Sequence, residues 1–220
     1  MSWMVNAVEL LAKGGVVMIP LMICSVISVA VLIERYFKIS KAQADVSEVI
    51  KRAEDAIYDG SPENAMSILE RVDNPVARVI SAGICNRHLG ERGSERAMEE
   101  QGTREVSALT RRLGSLDTII TIAPLLGLLG TVTGMISAFH VIAAKSGIST
   151  PTAITGGVAE ALIATATGLA IAIFTLIGNN YLQDRIKCIV AEIEARGNET
   201  VNILVESQEE PRGEIKRISA

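Results

Sequence analysis

Three stretches of the chain run without charge for about the length that a helix needs to cross a bilayer. A hydrocarbon core of about 30 Å takes ~20 helical residues. The first runs from Gly14 to Ile33, between Lys13 and Glu34, and the second from Thr118 to Ala144, between Asp117 and Lys145. The third runs from Ser146 to Gln183, and Glu160 is its only charge. Its opening, SGISTPTAITGG, is rich in Ser, Thr, Gly and Pro and reads as a connector before the helix. The first stretch lies well inside the chain and has no clear Ala-x-Ala exit, which favours a retained anchor over a cleaved signal.

The segment between the first two spans is polar, with helical punctuation. Ser61 and Asn74 each precede a proline, so each is placed to cap a helix with Pro62 or Pro75 at its first position, and Gly90 stops the second of these. Ser94 is a further candidate cap, followed by early acidic residues. From there to span two only Gly102 and Gly114 interrupt the pattern, so one long rod is expected. Span three continues into a polar helix with Ile186, Ile189, Val190 and Ile193 at helical spacing. The tail SQEEPRGEIKRISA is polar and is expected to be disordered.

These patterns divide the chain into an external N-terminus (1–13), spans at 14–35, 117–144 and 157–183, a cytoplasmic helical domain (36–116) and an external connector (145–156). A cytoplasmic helix extension (184–206) and a flexible tail (207–220) complete it. The predicted fold is an all-α integral membrane protein with three transmembrane helices, two of them extended into a cytoplasmic helical bundle.

Composition and charge narrow the function. Hydrophobic residues make up 49% of the chain and charged ones 21%, too apolar a balance for an ordinary soluble domain. The net charge of −4 speaks against a nucleic-acid partner. Cys24, Cys85 and Cys188 are odd in number and widely spaced, so neither a disulfide framework nor a metal site is indicated. Basic residues orient the spans, because Lys and Arg stay on the cytoplasmic side. Arg35, Lys38 and Lys41 follow span one, Arg104, Arg111 and Arg112 precede span two, and Arg185 and Lys187 follow span three; the opposite ends carry Lys13 and Lys145. The N-terminus is therefore expected outside and the C-terminus in the cytoplasm.

Two faces carry candidate chemistry. In span two, Ala123, Gly127, Gly130 with Thr131, Gly134 and Ser137 recur at steps of three or four, a stripe that admits a second helix closely. Pro124 removes a backbone donor and is expected to bend or locally open this helix. In span three, Ala161, Thr165, Gly168 and Ala172 form a similar face, and Glu160, Ala164 and Thr167 a neighbouring one. Glu160 has two readings, a relay or cation ligand working with the hydroxyls, or a carboxylate one turn from its helix start that stays hydrated and serves the dipole. Thr165 lies five residues further on, about 7.5 Å deeper at 1.5 Å per residue. The threonines likewise have a second reading, in which each hydroxyl bonds back to its own helix. His140 and His88 have no partner pattern. No nucleophile comes with a base, and no phosphate loop or metal spacing is present, so no enzyme activity, cofactor or catalytic residue is expected.

Two blocks, APLLGLLGTVTGMISAF at Ala123 to Phe139 and GGVAEALIATATGLAIAI at Gly156 to Ile173, resemble the MotA/TolQ/ExbB proton-channel family. The three-span layout is similar to its ExbB/TolQ branch. The resemblance implies a bacterial inner-membrane subunit that forms a ring, typically a pentamer, around the single spans of two ExbD- or TolR-like partners. Proton flow then drives transport or outer-membrane work, with a TonB- or TolA-like protein as a further partner. By motif, it implies an ion pathway at Thr131, Glu160 and Thr165, to which Thr167 is added. It also implies close packing at Gly127, Gly130, Gly134 and Gly168, with the break at Pro124. Thr133 and Thr167 depart from the family pattern and leave H⁺ or Na⁺ open. A non-conducting scaffold that gathers partner helices is the alternative, and a solute carrier is disfavoured because no internal repeat is found.

Overall fold

The computed structural model describes residues 15–144 and 151–218, and the side chains of residues 15–140 and 155–207. All regular structure among them is helical: α1 (Met18–Ala42), α2 (Ser47–Tyr58), α3 (Pro62–Leu69), α4 (Pro75–Cys85), α5 (Glu91–Thr110), α6 (Leu113–Ala144) and α7 (Pro151–Ile218). A 3-10 turn, Arg87–Leu89, joins α4 to α5. Three helices are long and apolar enough to cross a membrane, and their apolar stretches lie in α1, α6 and α7. The protein is an all-α membrane protein. Two compact units divide it: described residues of Met1–Glu34 with Arg112–Tyr181, and of Arg35–Arg111 with Leu182–Ala220.

The first unit inverts the usual sorting of side chains by size. Ala123, Ala161 and Ala164 are buried, while Ile19, Val26, Leu125, Leu162, Ile173 and Ile177 are more than half exposed. In water that arrangement would waste most of the hydrophobic effect. In lipid it is the favoured one, because helices associate through small residues that let backbones approach, and large aliphatics face the acyl chains. Met18, Leu21, Ile119, Ala123, Ala164 and Ala172 form its core. Arg112 pairs with Glu34 within the same unit.

The second unit is a conventional helical bundle. Ile50, Ile57, Leu69, Val76, Val79, Ile80, Ile84 and Ile189 are almost wholly buried. Helix α2 packs on α3, and α4 on α5. The α4 and α5 contact is tight at Gly83, where a Cβ would lie 2.8 Å from Met98 Cγ. Asn74 is the cap the sequence predicts, its Oδ1 accepting from Val76 N at 2.8 Å. Its Nδ2 also donates to the Ala42 and Ala44 carbonyls at 3.0 and 3.3 Å, tying the end of α1 to the start of α4.

Other expectations are revised. Ser61 occupies the cap position before Pro62 but makes no side-chain cap bond. Ser94 is not a cap: α5 starts earlier, at Glu91, after Gly90 turns the chain with φ 77°, and Ser94 is buried one turn in. The expected rod from α5 into span two is also broken. Arg111 takes an extended conformation (φ −52°, ψ 134°) and Arg112 a left-handed one (φ 69°) before α6 begins at Leu113. Two arginines are good helix formers, so local preference gives no warning of this break. Helix α7 starts at Pro151, inside the stretch expected as a connector, and the backbone of residues 207–218, expected as a tail, is helical. Residues 1–13 and 145–150 of the expected external segments lie outside the described residues.

Candidate transmembrane polar site

Small residues of α6 and α7 meet, and at Gly127 and Gly168 the contacts are between backbones. A Cβ on Gly127 would lie 2.9 Å from Thr165 Cα and 3.1 Å from the Ala164 carbonyl oxygen. One on Gly168 would collide with the Ala123 carbonyl oxygen and lie 3.2 Å from Gly127 Cα. On Gly130 it would stand 2.5 Å from Ala164 Cβ, and on Gly134 3.0 Å from both Ala161 Cβ and the Gly157 carbonyl oxygen. Ala172 is buried in the same core. The stripes shift in detail: among the described residues Ala138, not Ser137, continues the buried line on α6 past Gly134, and Ala164 is wholly buried rather than on a neighbouring stripe.

The backbone of α6 is helical throughout Leu113–Ala144, so Pro124 does not interrupt it. The adjacent Ala123 carbonyl is the one on which Gly168 closes.

The threonines divide into two kinds. Thr131 donates to the Leu128 carbonyl at 2.6 Å, Thr133 to Leu129 at 3.0 Å, and Thr167 to Ile163 at 2.8 Å. Each satisfies its hydroxyl on its own helix, as membrane threonines commonly do. Thr165 instead donates across the interface to the Gly127 carbonyl at 2.9 Å. The geometry therefore joins Thr165, Gly127 and Gly168 in one cluster and leaves Thr131 and Thr167 bonded within their own helices. The Thr165 side chain is only partly buried, and an acceptor lone pair remains on its oxygen after it donates.

Glu160 is partly buried and lies against the turn that precedes α1, where a Cβ on Gly15 would sit 3.1 Å from its Cδ. Because α7 begins at Pro151, Glu160 stands nine residues into the helix, about 13.5 Å from its start. It is therefore not a first-turn residue serving the dipole of its own helix.

Further along the same face of α7 lie polar contacts that the sequence reading missed. Ser28 and Thr175 hydroxyls meet at 2.6 Å, and Thr175 also donates to the Ile171 carbonyl at 2.7 Å. Asn179, almost wholly buried, donates to Asp117 at 2.7 Å. Steps of three and four from Gly168 through Ala172 and Thr175 to Asn179 carry the signal, which the change from small to polar side chains disguises.

The comparisons with known proteins bear on this same region. Residues 71–195 match the model of the MotA/TolQ/ExbB proton channel family. The biopolymer transport protein ExbB-like 3 of Synechocystis sp. is 34% identical over 173 residues, covering 76% of this chain and 80% of that protein. The biopolymer transport protein exbB1 of Vibrio cholerae is 32% identical over 181 residues, 79% and 78% of the two chains. An ExbB homolog of Methanothermobacter thermautotrophicus is 29% identical over 190 residues, 86% and 67% of the two.

Proposed function

The chain belongs to the MotA/TolQ/ExbB proton channel family, and on that premise we propose that it is the ring-forming subunit of an inner-membrane motor driven by the proton motive force. Membership of the family supports a membrane subunit of the proton-channel type rather than an enzyme. A homo-oligomer, a pentamer, surrounds the single spans of two ExbD/TolR-like partners and works on a TonB- or TolA-like protein. The N-terminus is periplasmic and the C-terminus cytoplasmic, with residues 36–116 and 184–206 in the cytoplasm.

The observation that carries the reading is the Thr165 hydroxyl placed at a close backbone contact of α6 and α7, on a partly accessible side chain. A hydroxyl there presents an acceptor to a protonated partner carboxyl and, by releasing Gly127, a donor to a charged one. Glu160, Thr131 and Thr167 are the other pathway residues of the proposal. Each charge that crosses 100 mV releases about 2.3 kcal/mol, enough to drive stepwise motion of ring against core.

The alternative, a scaffold that does not conduct, draws support from the internal bonds of Thr131, Thr133 and Thr167. The two separate in one experiment: the chain is expressed with its partner, and work dependent on the proton motive force is measured for Thr165→Ala and Glu160→Ala. Conduction expects loss of work with the oligomer intact. Work that survives both substitutions in an intact assembly supports the scaffold.

A further inference from the structure

Gly15 meets Glu160 under two constraints that have separate origins. Its backbone has φ +74°, a conformation open to glycine and strained for other residues. The space beside it is also taken: a Cβ there would overlap Glu160 Oε1 and lie 3.1 Å from Cδ and 3.5 Å from Cγ. The Gly15 carbonyl accepts from Met18 N at 3.1 Å, so the same residue forms the turn that opens α1. Two residues on, Val17 packs against the core that holds Ala123 and Ala164, and it stands 3.8 Å from where a Cβ on Gly130 would be. The turn before α1 therefore touches both the carboxylate and the crossing of α6 with α7.

We infer that Gly15 is a positioning residue for Glu160: by lacking a side chain it lets the carboxylate rest on the turn before α1, and it makes that turn part of the ion pathway. The inference rests on the proposed reading of Glu160 as a pathway group. A methyl group at position 15 occupies the place of Oε1, so the carboxylate must swing away while its helix stays where the α6 and α7 contacts hold it. Span one, which carries none of the motif residues, thereby acquires a role in the pathway.

The test uses the full chain in its native host, each variant replacing the resident copy, with motive-force-driven work and detergent-extracted oligomer both measured. Gly15→Ala is expected to lower work about tenfold, equivalent to about 1.4 kcal/mol in a barrier, with the oligomer intact. Gly15→Asn separates strain from collision, because Asn tolerates positive φ yet brings the same Cβ; it is expected to fail as Gly15→Ala does. Glu160→Asp withdraws the carboxylate by about 1.5 Å, one carbon–carbon bond, and is expected to restore a large part of the work in the Gly15→Ala background. Infrared spectra of the purified complex add a direct reading: the carboxylate band that vanishes in Glu160→Gln should shift in Gly15→Ala, whether or not Glu160→Asp is active. Wild-type work in Gly15→Ala, or a carboxylate band that does not move, overturns the inference. If Glu160→Ala itself leaves work intact, the pathway reading of Glu160 has failed; if Glu160→Ala abolishes work while Gly15→Ala is harmless, only the positioning role has failed.

Discussion

The Thr165 hydroxyl on α7 donates to the Gly127 carbonyl on α6 at 2.9 Å, at a point where the two backbones are close enough to exclude a Cβ on Gly127. The bond therefore has two separable duties. It fastens the helices together, a contribution of about 1 kcal/mol. It also keeps a polar oxygen where the family resemblance puts ion passage. Thr165→Val preserves shape and removes the oxygen, and it is expected to leave the oligomer intact while reducing motive-force-driven work by about tenfold or more. Thr165→Ser keeps the oxygen and should retain most of the work. Equal work in the Val and wild-type proteins would reduce the hydroxyl to a fastener.

Glycines in the helices divide by what a methyl group would meet. At Gly168 it meets the Ala123 carbonyl oxygen, a backbone atom with no rotamer to change, and at Gly127 it meets the Thr165 backbone. Gly168→Ala and Gly127→Ala are expected to cost about 1–3 kcal/mol by overpacking, read as a lower melting temperature and less oligomer on extraction. Gly114 on α6 has open space around it. Gly114→Ala should be neutral or stabilise by about 0.5–1 kcal/mol, since alanine is the better helix former.

How far these features can be read from sequence depends on whether they are periodic. The three apolar stretches, the stripes at Gly127, Gly130 and Gly134 and at Ala161, Gly168 and Ala172, and the Asn74 cap all repeat a spacing or a local motif, and the fold follows them. The break at Arg111–Arg112 does not, because helix-favouring residues take up a turn conformation there and Arg112 pairs with Glu34, 78 residues away. Partners so distant leave no local trace. For the same reason Gly15 against Glu160, and Ser28 against Thr175, emerge only when helices far apart in sequence are side by side. Ala164 is buried one stripe away from where the pattern puts it, because neighbouring helical faces differ by a single step and only packing decides which of them is buried.

In the second unit, Arg78 holds Glu105 with two bonds, Nε to Oε1 at 2.8 Å and Nη2 to Oε2 at 2.6 Å, and Gln101 adds a third at 2.7 Å. Hydrogen bonding to Arg78 keeps the Glu105 carboxyl below the usual glutamate range, against the opposing effect of burial. A depressed carboxylate stabilises the fold above its unfolded pKa, and that contribution is lost as pH falls through the folded one. Arg78 is partly exposed, so the pair is discounted for solvent. Glu105→Gln is expected to cost about 1–2 kcal/mol at pH 7. The difference from wild type should shrink as pH falls below the ordinary glutamate range, measured by thermal unfolding of the solubilised protein. A gap that stays constant with pH would remove the ion pair from the account.

Glu54 on α2 carries the opposite sign. Only 6% exposed, it has one carboxylate oxygen, Oε1, with no hydrogen-bond partner. Burial raises its pKa above the ordinary glutamate value, Glu199 raises it further, and Arg196 offsets this in part. A carboxyl whose folded pKa is raised binds more protons folded than unfolded, so stability declines as pH rises from the unfolded pKa through the folded one. At pH 7 the charge therefore works against the fold, and at pH 4 it does not. Glu54→Gln keeps the shape and removes the charge. It is expected to stabilise the second unit by on the order of 1 kcal/mol at pH 7, the scale of a buried polar group left unsatisfied, and to give little gain at pH 4. Thermal unfolding of the full chain at the two pH values measures this directly. Destabilisation by Glu54→Gln at pH 7 would mean that the carboxylate has a favourable role in this bundle, and the sign argued from its burial would be wrong.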